Sequence, residues 1–277
     1  MKTIQSLTLA ALAFCSSAQG AGPDVSPFFA MDTGISGEPS MVASTLKDLG
    51  YEGFGGSGTN VKPMIEAIEA KELRLWNIYL TLKFDAGVPA LTPALKTLIG
   101  DLNGHSSTLW IAVTSVSGGD DVAVSALREI ADAAAASQVK VSLYPHTGFW
   151  LSRFSDAASL AGKVDRENTG ITFNLCHWLK VEGDADPIPL IKQHRDKLQF
   201  VTVNGADRGD TKTFDWNRLI QPLDRGSYDA AGFIRRLQKE AEWHGPIGLQ
   251  SYGISGDRRE NLKRSMTVWK SIDAPKP

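Results

Sequence analysis

Three short stretches of this sequence concentrate groups able to move protons and to hold hydroxyls. They are Leu143-Tyr144-Pro145-His146-Thr147-Gly148-Phe149-Trp150, Phe173-Asn174-Leu175-Cys176-His177-Trp178 and Val203-Asn204-Gly205-Ala206-Asp207. Imidazole titrates near neutral pH, so His146 and His177 are the candidate general acid and base. The amides of Asn174, Asn204 and Gln250 each offer a donor and an acceptor, which matches the hydroxyls of a sugar. Trp150 and Trp178 suit the apolar face of a pyranose ring, and they equally suit a structural covering role. Asp207 is a candidate to orient a histidine, to bind a hydroxyl, or to cap the segment that follows. Asp32 is a further substrate-binding candidate. Tyr144 or Lys83 would steady a developing oxyanion.

These residues share a place in the chain: each closes or just follows a short apolar run. Such runs recur at Phe28–Met31, Gly50–Phe54, Leu73–Leu82, Thr108–Val116, Val139–Tyr144, Ile171–Leu175, Phe200–Val203 and Pro246–Gln250. Between them lie segments with helical spacing, among them Met41–Leu49, Val61–Ala70, Val122–Ala136, Tyr228–Trp243 and Arg259–Ile272. In the last, Leu262, Met266 and Trp269 fall on one helical face. Strand then helix, repeated around a single core, predicts an α/β fold: a closed (β/α)₈ TIM barrel. A doubly wound open sheet is the alternative. No linker divides the chain, so residues 21–277 are expected to form one domain. Barrel chemistry sits at the C-terminal ends of the strands, where the three polar stretches would meet. The run Gly55-Gly56-Ser57-Gly58 lacks the Lys-Ser/Thr ending of a phosphate loop and reads as a tight turn. Cys176 is expected to point into the barrel wall by strand alternation.

In spacing, these strand ends resemble the xylose-isomerase-like sugar isomerase and epimerase family. The resemblance implies metal ligands at four places: a Glu on strand 5 with His two residues on, Asp-x-x-His on strand 6, His-x-x-Asp on strand 7, and a Glu on strand 8. The corresponding residues here are Tyr144 with His146, Asn174-x-x-His177, Asn204-x-x-Asp207 and Gln250. Four ligand positions have become one phenol and three amides. Divalent cations draw their affinity from carboxylates and imidazoles, so the metal that the resemblance implies is not carried over by default. A regrouped divalent-metal site of His146, His177 and Asp207 stays open as an alternative.

The N-terminus reads as a signal peptide: Lys2 supplies a basic start, Leu7 to Phe14 an apolar run, and Ala18-Gln19-Gly20 a cleavage pattern. Cleavage after Gly20 and a periplasmic or secreted location follow as expectations. Phe14 before Cys15 argues against a lipoprotein signal, which wants a small residue there. The mature chain would keep Cys176 alone, so no internal disulfide could form. The formal net charge is −2, from 29 Lys+Arg against 31 Asp+Glu, without a basic stripe, which argues against nucleic acid as a partner. No later apolar run reaches the ~20 residues that a membrane span needs.

The expected function is therefore an exported isomerase, epimerase or lyase. Its partner would be a small carbohydrate (a sugar, glycoside or keto-sugar), altered by proton transfer next to a carbonyl. The competing reading is a carbohydrate-binding barrel without catalysis, favoured by amides standing where carboxylates would be. A metal-dependent nuclease is disfavoured by the charge and by the missing ligands.

Overall fold

The computed structural model describes residues 26–272; the expected signal segment and its cleavage site lie outside them. The strands are β1 (Phe28–Met31), β2 (Gly53–Ser57), β3 (Arg74–Asp85), β4 (Thr108–Ser117), β5 (Lys140–Leu143), β6 (Thr169–Asn174), β7 (Leu198–Val203) and β8 (Ile247–Leu249). The helices are α1 (Pro39–Leu49), α2 (Lys62–Glu69), α3 (Pro93–Asp101), α4 (Asp120–Ala136), α5 (Phe154–Val164), α6 (Leu175–Glu182), α7 (Ile188–Gln193), α8 (Trp216–Leu219), α9 (Ala230–Lys239) and α10 (Arg258–Ile272). All neighbouring strands pair in parallel, and β1 pairs with both β2 and β8, so the sheet closes on itself. This is the (β/α)₈ TIM barrel that the alternating pattern predicts.

Two apolar cores result. The larger lies between sheet and helices, where Leu46, Ile68, Leu98, Leu127, Ile130 and Leu237 are fully buried. The second fills the barrel itself with Phe29, Met31, Trp76, Trp110, Ala112, Tyr144 and Phe200. Inside, the rings of Trp110 and Tyr144 stack with centroids 5.2 Å apart, and Phe200 meets Trp110 edge-on at 5.1 Å. Removing a ring of this size from water contributes roughly 4–6 kcal/mol before the cost of ordering it. Rings this large fit because small residues face them. A Cβ on Gly248 would stand 2.7 Å from the Phe29 ring, and one on Gly55 would stand 3.0 Å from the same ring.

The boundaries of several elements differ from expectation for local reasons. β2 starts at Gly53 rather than Gly50, because Gly50 takes a left-handed conformation (φ 89°) that ends α1. Gly55 and Gly56 consequently belong to β2 instead of a turn. β3 runs on to Asp85, held throughout by β4. β6 stops at Asn174, whose side chain caps α6 by accepting from the His177 N–H at 3.2 Å. Cys176 and His177 therefore sit on a helix directly after the strand, which corrects the strand-alternation reading of Cys176.

Candidate active site at the strand C-terminal ends

A cavity of about 800 Å³ opens at the C-terminal mouth of the barrel. Among the expected site residues, Asp32, Tyr144, His146, His177 and Gln250 line it, and Cys176 joins them. Two histidines from consecutive strand ends meet there with ring centroids 4.1 Å apart. His146 lies in the loop after β5, and the Phe149 ring stacks on it at 4.1 Å. His177 occupies the first turn of α6 and is walled by the edges of Tyr144 and Trp216.

Hydrogen bonding tells the two imidazoles apart. His146 Nδ1 lies 2.9 Å from the Thr147 carbonyl oxygen, which can only accept, so Nδ1 carries the proton. Its Nε2 is then the unprotonated nitrogen of the neutral ring. His177 Nδ1 accepts from the Thr147 backbone N–H at 3.3 Å, and the Thr147 hydroxyl lies 3.1 Å away. Its proton is accordingly on Nε2. Burial lowers the pKa of His146, and it lowers that of His177 well below 6.5, with the neighbouring His146 adding to the effect. Both rings are neutral at pH 7. One offers a lone pair, and the other offers an N–H.

The surroundings are partly buried and mostly neutral. Tyr144 is buried, and desolvation raises its pKa well above 10; the nearby Asn174 and Gln250 side chains offset part of that rise. Burial likewise pushes the Cys176 thiol up to about 12, so it stays protonated and donates to Asn174 Oδ1 at 2.9 Å. The Asp32 carboxyl is raised by burial, while the Ser57 hydroxyl that donates to it partly offsets the rise. Gln250 is held by its own side-chain oxygen, which accepts from the Thr33 hydroxyl at 2.8 Å and from the N–H groups of Ser251 and Tyr252 at 2.9 and 3.0 Å.

Other expected site residues lie elsewhere. Lys83 is carried past the mouth by the extended β3 and forms a solvent-facing ion pair with Asp85 at 3.0 Å. Asp207 pairs with Arg218 at 2.8 Å, which lowers its pKa, and it lines a neighbouring groove instead. Asn204 is fully buried and donates to the carbonyls of Gly205 and Leu219. Asn174 sits behind the cavity wall as a cap. Trp178 donates its indole N–H to Ala185 O at 2.9 Å and packs on Phe173, which is the structural covering role. Trp150 is partly exposed and outside the cavity lining. Tyr79, Trp216 and Arg258, which sequence reasoning did not single out, do line it. Trp216 and Arg258 open α8 and α10, beyond the residues that directly follow β7 and β8, and Tyr79 lies within β3. The strand-end rule could not reach them.

The family model for the xylose isomerase-like TIM barrel matches residues 100–272. The chain belongs to this family. Solved structures with the same fold include a 3-keto-D-glucoside 4-epimerase from E. coli (TM-score 0.69, 13% identity, covering 89% of this chain and 99% of that one). A probable 3-DHS dehydratase from Bacillus anthracis aligns with TM-score 0.69 and 17% identity, over 88% and 98% of the two chains. A fusion of a xylose isomerase-like TIM barrel with 4-hydroxyphenylpyruvate dioxygenase aligns with TM-score 0.71 and 14% identity, and this chain, 88% covered, spans 42% of its length. No curated protein sequence matches the chain.

The positions that resemble the family's metal ligands do not fit a divalent cation. The oxygens of Asn174 and Gln250 are already taken by S–H, O–H and N–H donors, and Tyr144 is a neutral phenol. Asn204 Oδ1 alone lacks a protein partner, and one neutral amide oxygen holds a dication weakly. The regrouped site fails as well, since Asp207 is bound to Arg218 and does not line the cavity that holds the two histidines. Among the described residues, no three His, Cys, Asp or Glu side chains cluster so as to hold a metal ion.

Proposed function

We propose that this chain is an exported, sugar-modifying enzyme that moves a proton on the carbon next to a carbonyl. The observation that carries the reading is the complementary pair at the mouth: His146 with Nε2 free to accept, and His177 with Nε2–H to donate. His146 takes the C–H proton, the electron pair of that bond forms a C=C bond to the carbonyl carbon, and the carbonyl π pair moves onto the oxygen. His177 donates to that oxygen as it becomes an enolate or enediol. Returning the proton to the other face gives an epimer, and returning it to the neighbouring carbon gives an isomer. Loss of a leaving group from the β-carbon gives a lyase. Similar folds whose names denote an epimerase and a dehydratase support this class. Export rests on the signal pattern ending at Gly20.

The test is C–H exchange in D₂O, followed by NMR across a panel of ketoses and keto-glycosides. The expected result is exchange that falls by about 10²–10⁴-fold in His146→Ala. Undiminished exchange in both His146→Ala and His177→Ala would sink the reading. A non-catalytic carbohydrate-binding barrel is favoured by the uncharged groups at the four rewritten positions. It would show saturable sugar binding with no exchange at all.

A further inference from the structure

The mouth cavity does not end at the histidines. A second groove of about 450 Å³ shares Ile220 and Gly253 with it, so the two adjoin across these residues. The mouth alone is near the top of the usual 300–1000 Å³ range for a small-ligand site, and with the groove the tract exceeds it. Tyr252 lines the mouth cavity and stands at its lip with 64% of its surface exposed, so its ring is open to a bound molecule.

The charge of the groove is one-sided. Arg218, Arg225 and Arg264 line it against the single carboxylate of Asp207. Arg218 is neutralised by Asp207, and Arg264 by Asp224 at 2.6 Å. Arg225 has no carboxylate within ion-pair distance among the described residues. Neither has Arg258, the one Lys or Arg lining the mouth cavity, whose side chain reaches only the Ser36 hydroxyl. The amides of Asn217, Gln221 and Asn261 line the same groove. Guanidinium groups present a planar fork that matches a carboxylate, while amides serve hydroxyls.

The geometry points to a second subsite for an acidic sugar unit: the substrate is a glycoside whose outer unit carries a carboxylate, met by Arg225 and Arg258. This rests on the sugar-modifying reading and names the substrate class of the same site. The inner ring occupies the histidine cavity, Tyr252 packs on the junction, and the outer unit lies along the arginine groove.

The experiment is isothermal calorimetry of His146→Ala protein with a panel of uronate-terminated disaccharides, each against its neutral counterpart. At least one acidic member should bind about tenfold or more tightly than its neutral partner, with the advantage shrinking in high salt. Arg225→Gln and Arg258→Gln, placed in the same background, should each cut that preference severalfold. Both side chains are on the surface, so folding is not at issue. Equal affinity for acidic and neutral members, a preference unmoved by either substitution, or no binding by any member overturns the subsite. Failure of the enzyme reading looks different: acidic sugars bind with the expected preference, yet native protein exchanges no C–H proton in D₂O.

Discussion

The single residue Thr147 sets the tautomers of both histidines at the barrel mouth. Its carbonyl oxygen receives the proton of His146 Nδ1, and its N–H donates to His177 Nδ1. One residue between two imidazoles thus leaves a lone pair on one ring and an N–H on the other. That division is what an enolisation step requires.

Acid should weaken the fold through these histidines. Both have folded pKa values below the ordinary 6.5 because burial disfavours the charged ring. The unfolded chain therefore binds more protons below pH 6.5 than the folded one. Stability is complete above about 6.5 and falls as pH drops from there towards the depressed pKa values. Urea unfolding of native protein and His177→Gln at several pH values between 7.5 and 5 checks this, and the variant should show the shallower slope. Asp32, raised by burial, works in the opposite sense at lower pH, so Asp32→Asn should steepen the fall.

The acid limb of kcat/KM should reflect the same burial. The proposed mechanism needs neutral His146, so its midpoint is expected below 6.5. A pH–rate profile of the exchange reaction measures it directly, and a midpoint above 6.5 would contradict the assigned base.

Chelation should leave activity intact. The oxygens of Asn174 and Gln250 are taken up by neighbouring donors, and Tyr144 stays a neutral phenol. Elemental analysis with turnover before and after EDTA tests this; a stoichiometric metal whose removal abolishes turnover would refute it.

Asn174→Ala should damage both stability and chemistry. It removes the cap on the His177 N–H and the acceptor for the Cys176 thiol, at a cost of about 1–2 kcal/mol. Because the cap also places His177, kcat should fall more than KM changes. Denaturant unfolding and steady-state kinetics separate the two effects.

Gly248→Ala should destabilise by about 1–3 kcal/mol, because the new methyl would stand 2.7 Å from the Phe29 ring inside the barrel. Thermal unfolding reads this, and pairing it with Phe29→Leu should recover part of the loss.

Much of this molecule is legible without coordinates. Alternating apolar runs and helical segments point to a helix-covered parallel sheet, whose strands must be apolar on both sides, and closure of that sheet is seen in the pairing of β1 with β8. The rule that chemistry gathers at strand C-termini then picks out Tyr144, His146, His177, Gln250 and Asp32, all of which line the mouth. The same rule misplaces Lys83, Asp207 and Asn204. Each stands near a strand end in sequence, but direction depends on where pairing stops and on what competes for the side chain. β3 stays paired with β4 to Asp85, so Lys83 leaves the mouth, while Arg218 draws off Asp207 and the carbonyls of Gly205 and Leu219 draw in Asn204. The tautomers of the two histidines, and the presence of Trp216 and Arg258 at the mouth, were likewise decided only by the tertiary structure. They depend on contacts between residues distant along the chain or on loop conformations, and no local periodicity encodes those.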